Sequence, residues 1–276
     1  MPELPEVEIV ARSLNGLVSK RRISAAELLR ARLAPHTDPE AFSARLSEAR
    51  VNFVHRRGKH VLFDLDNGST LITHLRMSGK FMLLTTQTPD PKFTHAIFHF
   101  DDGERLVFQD QRHFGMMKIV ATPELGTSTE ISKLGPEPLG EEFSYEYLRT
   151  KLLASRRSLK EFLLDQTKVC GLGNIYASEA MFLSRVNPRS PACKLTKSKT
   201  RLLFENIRLV LSEAVAFGST LAVVPHDIGG SIYGRDSHWQ WRVYDREGES
   251  CATCDSPIRR IVQAGRSTYF CRVCQK

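Results

Sequence analysis

The sequence contains no run of the roughly 18 uncharged apolar residues that a membrane-spanning helix needs, so its 276 residues are not expected to enter a bilayer. It does not open with a basic segment followed by an apolar run, so no secretory leader is expected. No internal repeat and no low-complexity tract is present, which sets repeat architectures aside. These absences predict a cytoplasmic chain with reduced thiols. Acidic residues are missing from one place in particular: none follows Asp255, whereas five basic residues do.

What is present is positive charge, unevenly spread. The net charge is +8. Residues 1–144 carry 18 Lys/Arg against 19 Asp/Glu, residues 145–210 carry 13 against 5, and residues 211–276 carry 8 against 7. The middle segment thus holds the equivalent of the whole excess. A basic region on a near-neutral frame suits a polyanion, because neutralised phosphates release counterions. The bland alternative is a solvated basic face. A hydrophobic content of 41% is enough for a packed core, and the length suits one large domain or two ordinary ones.

The pattern along the chain predicts an α+β protein. Residues 3–15 read as an amphipathic helix that Gly16 ends. From about 22 to 120 the signals are strand-like, with β-branched and aromatic runs such as VNFVHR and KFTHAIFHF. Turns at Asn67-Gly68 and Asp102-Gly103 separate some of them. Several short strands at this spacing suggest a sandwich or barrel. LGPEPLGEEFS, 134–144, reads as a linker, and helices are expected at 145–154, 158–165, about 174–184 and 198–217. The layout is a β domain over 1–133, a linker over 134–144, a basic helical domain over 145–240 and a short module over 241–276.

Four of the six cysteines form Cys251-x2-Cys254-x16-Cys271-x2-Cys274. This spacing presents two thiolate pairs to one tetrahedral Zn2+. Disulfides are the alternative and are disfavoured in a reducing compartment. All four positions are filled, so the site reads as structural rather than catalytic. The intervening IRRIV and STYFC read as a hairpin around Gly265, with Arg266 near its tip. Cys170 and Cys193 lack metal-like partners and read as buried small apolar residues.

The N-terminus, MPELPEVEIV, raises a chemical possibility. Methionine before proline is usually removed, which leaves Pro2 with a secondary amine. An α-amino group titrates near pH 8, far below lysine, so a useful fraction is nucleophilic at neutral pH. It can attack a sugar C1′ and form an iminium. Glu3 and Glu6 bracket it and can move protons. Read in isolation, Pro2 is an ordinary helix-start proline and the glutamates are favourable charges at a helix N-terminus.

These motifs do not stand in isolation. PELPEVE (2–8), RRGKH (56–60), HLRMSG (74–79), DQRHFG (110–115), LGPEPL (134–139), GLGNIYASEA (171–180) and the final CRVCQK together resemble the formamidopyrimidine-DNA glycosylase family (Fpg or MutM), over nearly the whole chain. The sister endonuclease VIII family typically begins PEGPE, and Leu4 favours the formamidopyrimidine branch. The resemblance implies an N-terminal β-sandwich with a leading helix, a helix–two-turn–helix domain with a lesion loop, and a zinc-finger hairpin. It places double-stranded DNA with oxidised bases or abasic sites in the cleft between the domains. It also implies a monomer in the bacterial cytoplasm, associated with the nucleoid through DNA, that excises oxidised purines and then cleaves the strand.

The roles the resemblance implies are specific. Pro2 matches the Schiff-base nucleophile, Glu3 the acid that protonates the sugar and Glu6 a second carboxylate of the site. Lys59 matches a hairpin lysine that assists β-elimination; without the family it is a solvated turn lysine. Asn174 matches a phosphate ligand, or reads as a helix N-cap. Arg266 matches the zinc-finger arginine linked to δ-elimination. Arg156 and Lys160 fall at basic DNA contacts, and His74 resembles a phosphate contact. Met77, Arg112 and Phe114 match the trio that fills the gap left by a flipped base, which apolar wedges and an arginine suit; their alternative is core packing. Three stretches depart from the pattern. DQRHFG stands where DPRRFG is usual, so Gln111 and His113 are distinctive. KFTHAIFHF keeps only His95 of a common His-x-His pair, and the resemblance places His95 among the DNA contacts. GSTLAVVPHDIGGSIYGRDSHWQW, 218–241, replaces a glycine-rich lesion-capping loop and carries Trp239 and Trp241 at its end.

Three readings compete with an oxidised-purine glycosylase and lyase: an endonuclease VIII-like enzyme for oxidised pyrimidines, a non-catalytic DNA-damage binding protein, and a zinc-finger transcription factor. The last two leave the N-terminal carboxylates and Lys59 unexplained.

Overall fold

A computed structural model describes residues 1–35, 37–230 and 241–276. The chain divides into two compact units. The first comprises Met1–Ser132 together with the segment that returns from Phe217, and the second begins at Lys133 and includes the C-terminal residues.

In the first unit, helix α1 (Leu4–Val18) leads into β1 (Ile23–Leu28), helix α2 (Pro39–Leu46) and the strands β2 (Val51–Arg57), β3 (His60–Leu65), β4 (Ser69–His74), β5 (Gly79–Thr85), β6 (Thr94–Phe100), β7 (Glu104–Asp110) and β8 (Met116–Ala121). A two-residue strand β9 (Ile228–Gly229) follows from the returning segment. Two sheets result, ordered β1-β6-β7-β5-β9 and β2-β3-β4-β8. Phe63 of β3 and Phe81 of β5 meet between them, with ring centroids 5.6 Å apart, so the inner faces share one core in sandwich fashion. Gly68 and Gly103 adopt the left-handed conformation (φ 76° and 84°) that the expected NG and DG turns require.

Three local expectations need correction. Helix α1 passes through Gly16 and ends two residues later. Its apolar stripe of Leu4, Val7, Val10, Ala11, Leu14 and Val18 is buried, and burying Val18 outweighs the roughly 1 kcal/mol that an interior glycine costs. Helix α2 interrupts the strand-like region: Asp38 caps it by accepting the Glu40 N–H, Pro39 starts it, and Phe42 and Leu46 bury its inner face. The segment after 216 does not stay with the helical unit. Leu83 N–H donates to the Pro225 carbonyl at 2.7 Å, β9 pairs with β5, and Ile228 enters the first core. An edge strand thereby gains a partner that sequence spacing does not reveal.

The second unit holds helices α3 (Tyr145–Leu153), α4 (Leu159–Leu164), α5 (Asn174–Leu183) and α6 (Lys197–Gly218), and a hairpin of β10 (Ile258–Gln263) and β11 (Arg266–Cys271). Ser144 caps α3, and a Ser158/Glu161 capping box starts α4. The 134–144 stretch is built into this unit: the Arg208 guanidinium donates to the carbonyls of Pro138, Leu139 and Gly140 at 3.0–3.3 Å. No helix among the described residues is long and apolar enough to cross a membrane.

Candidate active site and zinc centre

Pro2, Glu3 and Glu6 form the head of α1. The Glu3 backbone N–H donates to Glu6 Oε2 at 2.7 Å, and the Glu3 carboxylate accepts the Glu6 N–H in return. Both carboxyl groups are 3% exposed, and their place at the head of the helix sets them at its positive end. Pro2 is buried beside them. While Met1 remains, the Pro2 nitrogen belongs to a peptide bond; its removal leaves a secondary amine next to two carboxylates. The returning segment crosses the Pro2 ring at Gly230, where a Cβ would lie 2.1 Å from Pro2 Cγ. Only glycine lets the backbone pass so closely.

Lys59 lies in the β2–β3 turn, after Gly58 at φ 57°. It is 5% exposed, so it is not the solvated lysine a turn position would suggest. The turn is tied to α1. Arg56 donates from Nε to Glu8 Oε2 at 2.8 Å and from its guanidinium to the Gly58 carbonyl at 3.1 Å. Glu8 also accepts from Arg12 at 2.7 Å. Burial raises the Glu8 pKa, but Arg56 and Arg12 outweigh it and hold the carboxyl below its usual range. Sequence reasoning passed over Glu8 and Arg56 although both lie in recognised motifs. The i,i+4 pairing of Glu8 with Arg12 was visible; the partner 48 residues away was not.

His74 is buried, and its Nδ1 accepts the Arg76 N–H at 2.9 Å. The His60 and His74 rings meet edge to face at 4.8 Å. Burial, aided by Arg76 and outweighing a hydrogen bond with the Arg57 backbone, drives His60 down to about 4; burial, then His60, Arg76 and Lys59, drives His74 to about 2. Both are neutral in the folded unit, whereas in the unfolded chain they take up protons near pH 6.5. Their contribution is therefore full above about pH 6.5 and is lost as pH falls through that value toward 4. His60 alone should cost on the order of 3 kcal/mol by pH 4. Urea unfolding between pH 7.5 and 4.5 should show the decline, and His60→Asn/His74→Asn should flatten it.

Met77 lies in the β4–β5 turn, and Arg112 and Phe114 in the β7–β8 turn. Asp110 ties the two turns together: its carboxylate accepts the Ser78 hydroxyl, the Arg112 N–H (3.2 Å) and the Gly115 N–H (2.6 Å), while Ser78 Oγ accepts the Arg112 N–H at 3.0 Å. Burial works against the Asp110 charge, but these donors prevail and hold its pKa below normal. Met77 is 49% and Phe114 48% exposed, which rules out core packing for both. The Arg112 guanidinium sits 5.3 Å from the centroid of the Phe114 ring. The DNA contact expected of His95 meets a different geometry: this residue is 3% exposed and its ring faces His113.

In the second unit Arg156 and Arg266 are exposed. Asn174 begins α5, one residue after the actual N-cap, Gly173. Its Nδ2 donates to the Ser267 carbonyl at 3.0 Å, beside Arg266. Lys160, expected among basic DNA contacts, is instead completely buried. Its Nζ donates to Thr268 Oγ1 (3.0 Å) and Ser178 Oγ (3.3 Å) and lies 3.5 Å from the Ser267 carbonyl. Hence Lys160 ties α4, α5 and β11 together internally. Lys160→Ala should lower stability by about 2–4 kcal/mol through the cavity and the unpaired hydroxyls, read as a shift in the urea midpoint. Glu179, also buried, was not singled out; it accepts the N–H groups of Arg242, Val243 and Tyr244 at 2.9–3.0 Å. The 218–241 expectation falls partly on residues 231–240, Trp239 among them, which lie outside the described residues; Trp241 packs edge-on against Tyr176 at 5.7 Å.

The four cysteines converge. Their sulfurs lie within 4.8 Å of one another, with Cys254–Cys271 at 3.5 Å and Cys251–Cys274 at 3.9 Å. A tetrahedral Zn–S4 centre with bonds of about 2.3 Å needs sulfurs about 3.8 Å apart. The Thr253 and Cys274 N–H groups point at the Cys251 and Cys271 sulfurs, both at 3.5 Å. The set fits one structural zinc ion, and it leaves no position for substrate. Among the other cysteines, Cys170 is fully buried and donates to Glu137 at 3.2 Å, while Cys193 is half-buried.

Comparison with known proteins follows this geometry part by part. Residues 1–117 match the formamidopyrimidine-DNA glycosylase N-terminal domain, 134–224 the H2TH domain of the same enzymes, and 248–276 a zinc finger found in FPG and IleRS. The formamidopyrimidine-DNA glycosylase of Bacillus licheniformis is 42% identical over 279 residues, covering all of both chains. That of Bacillus subtilis is 39% identical, covering all of this chain and 99% of the relative. The Lactococcus lactis Fpg (MutM), solved with DNA containing an N7-benzyl-Fapy-dG, superposes with a TM-score of 0.90 at 34% identity over both full chains. The same protein with abasic-site DNA matches equally well, over 99% of each chain. Fold, N-terminal motif and zinc centre thus agree, and the chain belongs to the formamidopyrimidine-DNA glycosylase family.

Proposed function

We propose that this chain is a bifunctional DNA glycosylase and abasic-site lyase of base excision repair, acting on formamidopyrimidines and 8-oxoguanine in duplex DNA. The observation that carries this reading is the buried head of α1, where Pro2 directly precedes the buried carboxyl groups of Glu3 and Glu6. With Met1 removed, the Pro2 amine attacks C1′. The N–C1′ bond forms, the glycosidic bond breaks and the base departs with its bonding electrons. Glu3 takes up the proton that the amine loses on forming the N–C1′ bond and delivers it to O4′ as the sugar ring opens. The resulting iminium acidifies C2′–H, so loss of that proton expels the 3′ phosphate, and a second elimination expels the 5′ phosphate. Lys59, held by the Glu8–Arg56 tie, assists the first elimination, and Arg266 the second.

The remaining roles follow from placement. Met77, Arg112 and Phe114, exposed on two turns tied together by Asp110 and Ser78, fill the duplex after the base leaves the stack, which offsets a cost of a few kcal/mol. Asn174 and Arg156 take backbone phosphates, with Asn174 also holding the hairpin strand beside Arg266. The enzyme works as a monomer in the bacterial cytoplasm, associated with the nucleoid through DNA. A second reading, preference for oxidised pyrimidines, is favoured by one comparison: the Lactococcus protein was also solved with DNA containing an oxidised pyrimidine.

The test is borohydride trapping on duplexes carrying 8-oxoguanine opposite cytosine, a formamidopyrimidine, an oxidised pyrimidine or a plain abasic site. Adducts with the purine lesions support the proposal. Adducts with oxidised pyrimidines alone shift the specificity to the second reading. No adduct even at the abasic site leaves only a DNA-binding protein.

A further inference from the structure

We infer that His113 is a positioning residue for base extrusion: hydrogen-bonded to buried His95, it holds the turn that presents Arg112 and Phe114. This rests on the function proposed above. His113 Nδ1 and His95 Nε2 are 2.9 Å apart, with their rings at 31° and 4.9 Å between centroids. His113 occupies the left-handed region at φ 58°, a conformation histidine tolerates better than most residues. The Phe93 ring abuts it edge-on at 5.6 Å. His95 is itself anchored in β6, where its carbonyl accepts the Leu29 and Arg30 N–H groups at 2.9 and 3.2 Å. Arg112 and Phe114, the exposed neighbours of His113, therefore hang from a ring pair fixed to the first sheet.

The departures from the family pattern give this pair its purpose. Where proline is usual, Gln111 stands, and the turn loses the preset φ that proline supplies. Where arginine is usual, His113 stands, and its side chain turns inward onto His95 rather than offering a permanent charge. The ring pair, anchored on buried His95, replaces covalent rigidity with a hydrogen bond.

That bond requires at least one neutral ring, since each ring nitrogen of a doubly protonated pair is a donor. The charged groups facing the pair are Asp110 at the end of β7 and Arg30 after β1. Burial, then His113 and Arg30, lower the His95 pKa, while Asp110 opposes them. His95 therefore stays neutral below the usual histidine range, and the bond survives for as long as that ring remains neutral. With both rings protonated, two cations would face each other across 2.9 Å and the turn would be released.

The experiment compares two single-turnover rates in the full chain from pH 8 to pH 5: excision of 8-oxoguanine from duplex DNA, and cleavage of a preformed abasic site in single-stranded DNA. Extrusion is needed only in the first, so the ratio of the two isolates the turn. For the parent, the ratio should fall about tenfold toward pH 5. His113→Ala should lower it about tenfold at pH 8. His113→Asn should restore it and remove the pH dependence, because an amide places a donor and an acceptor near the Nδ1 position and tolerates the left-handed backbone. An unchanged ratio in His113→Ala, or a parent-like pH profile in His113→Asn, would overturn the inference. Loss of both activities in the parent would instead strike the proposed function. In that event the nitrogen–nitrogen coupling across the two rings, measured by NMR on labelled protein at pH 7.5 and 5, decides: present and then lost supports the inference, and absent at pH 7.5 refutes it.

Discussion

Pro2→Gly is expected to bind lesion duplex with near-parental affinity while its borohydride trapping falls at least about a hundredfold, about 2.7 kcal/mol of transition-state stabilisation. Glycine keeps a terminal amine, so the expected loss comes from two properties of the ring. A secondary amine forms an iminium that is charged without further protonation, whereas a primary amine gives an imine that must capture a proton to act as an electron sink. The ring is also fixed: it is buried against Gly230 at the head of α1, and a flexible glycine would forfeit the orientation. Circular dichroism should be unchanged, since Leu4 and the residues after it form the helix. A chain that retains Met1, identified by its mass, should be as inert as the variant, because its Pro2 nitrogen is an amide. Parental trapping by either species removes Pro2 from the nucleophile role.

Zinc removal is the second large effect. The hairpin rests on a small cluster of Phe182, Val243, Cys251, Ile258, Tyr269 and Cys271, two of which are metal ligands. Structural zinc contributes about 10–16 kcal/mol in finger-sized peptides, against about 6–12 kcal/mol that the four non-cysteine side chains of the cluster supply by burial. Without the cation the four thiols compete for protons. Burial and then the neighbouring thiols push Cys274 up to about 12, and burial raises Cys271 as well. A divalent cation reverses this preference by holding thiolates. Chelation, or Cys254→Ser, should therefore unfold β10–β11, free Arg266 and the Lys160 tie, and abolish trapping on lesion duplex. The sheets of the first unit should keep their cooperative thermal transition. Retained trapping in metal-free protein would break the link between the hairpin and DNA binding.

Much of the site was legible because its residues are local in sequence. Pro2, Glu3 and Glu6 fall within one helical turn, and the cysteine pairs are each three residues apart, so spacing alone brings their atoms together. The burial of Lys160 and His95 is illegible for the opposite reason. A lysine on a basic helix and a histidine in an alternating strand look exposed until their neighbours are known. Those neighbours, Thr268 and His113, lie 108 and 18 residues away. Gly16 was read as a stop by its propensity, and the burial of Val18 overrode it. Helix α2 carried its signal openly in Asp38-Pro39-Glu40, but the surrounding strand pattern masked it.

By itself the sequence determined the fold class, the two charge regimes, the zinc ligands and the chemistry available at the N-terminus, since each depends on composition or on residues close along the chain. Tertiary structure alone decided which polar groups are buried and what faces them: the Glu8–Arg56 tie beneath Lys59, the Lys160 lock on β11, the return of 217–230 to the first sheet, and the His95–His113 pair. Burial is a collective property of surfaces brought together over long separations. It sets whether a charge is solvated or paired, and no local pattern encodes it.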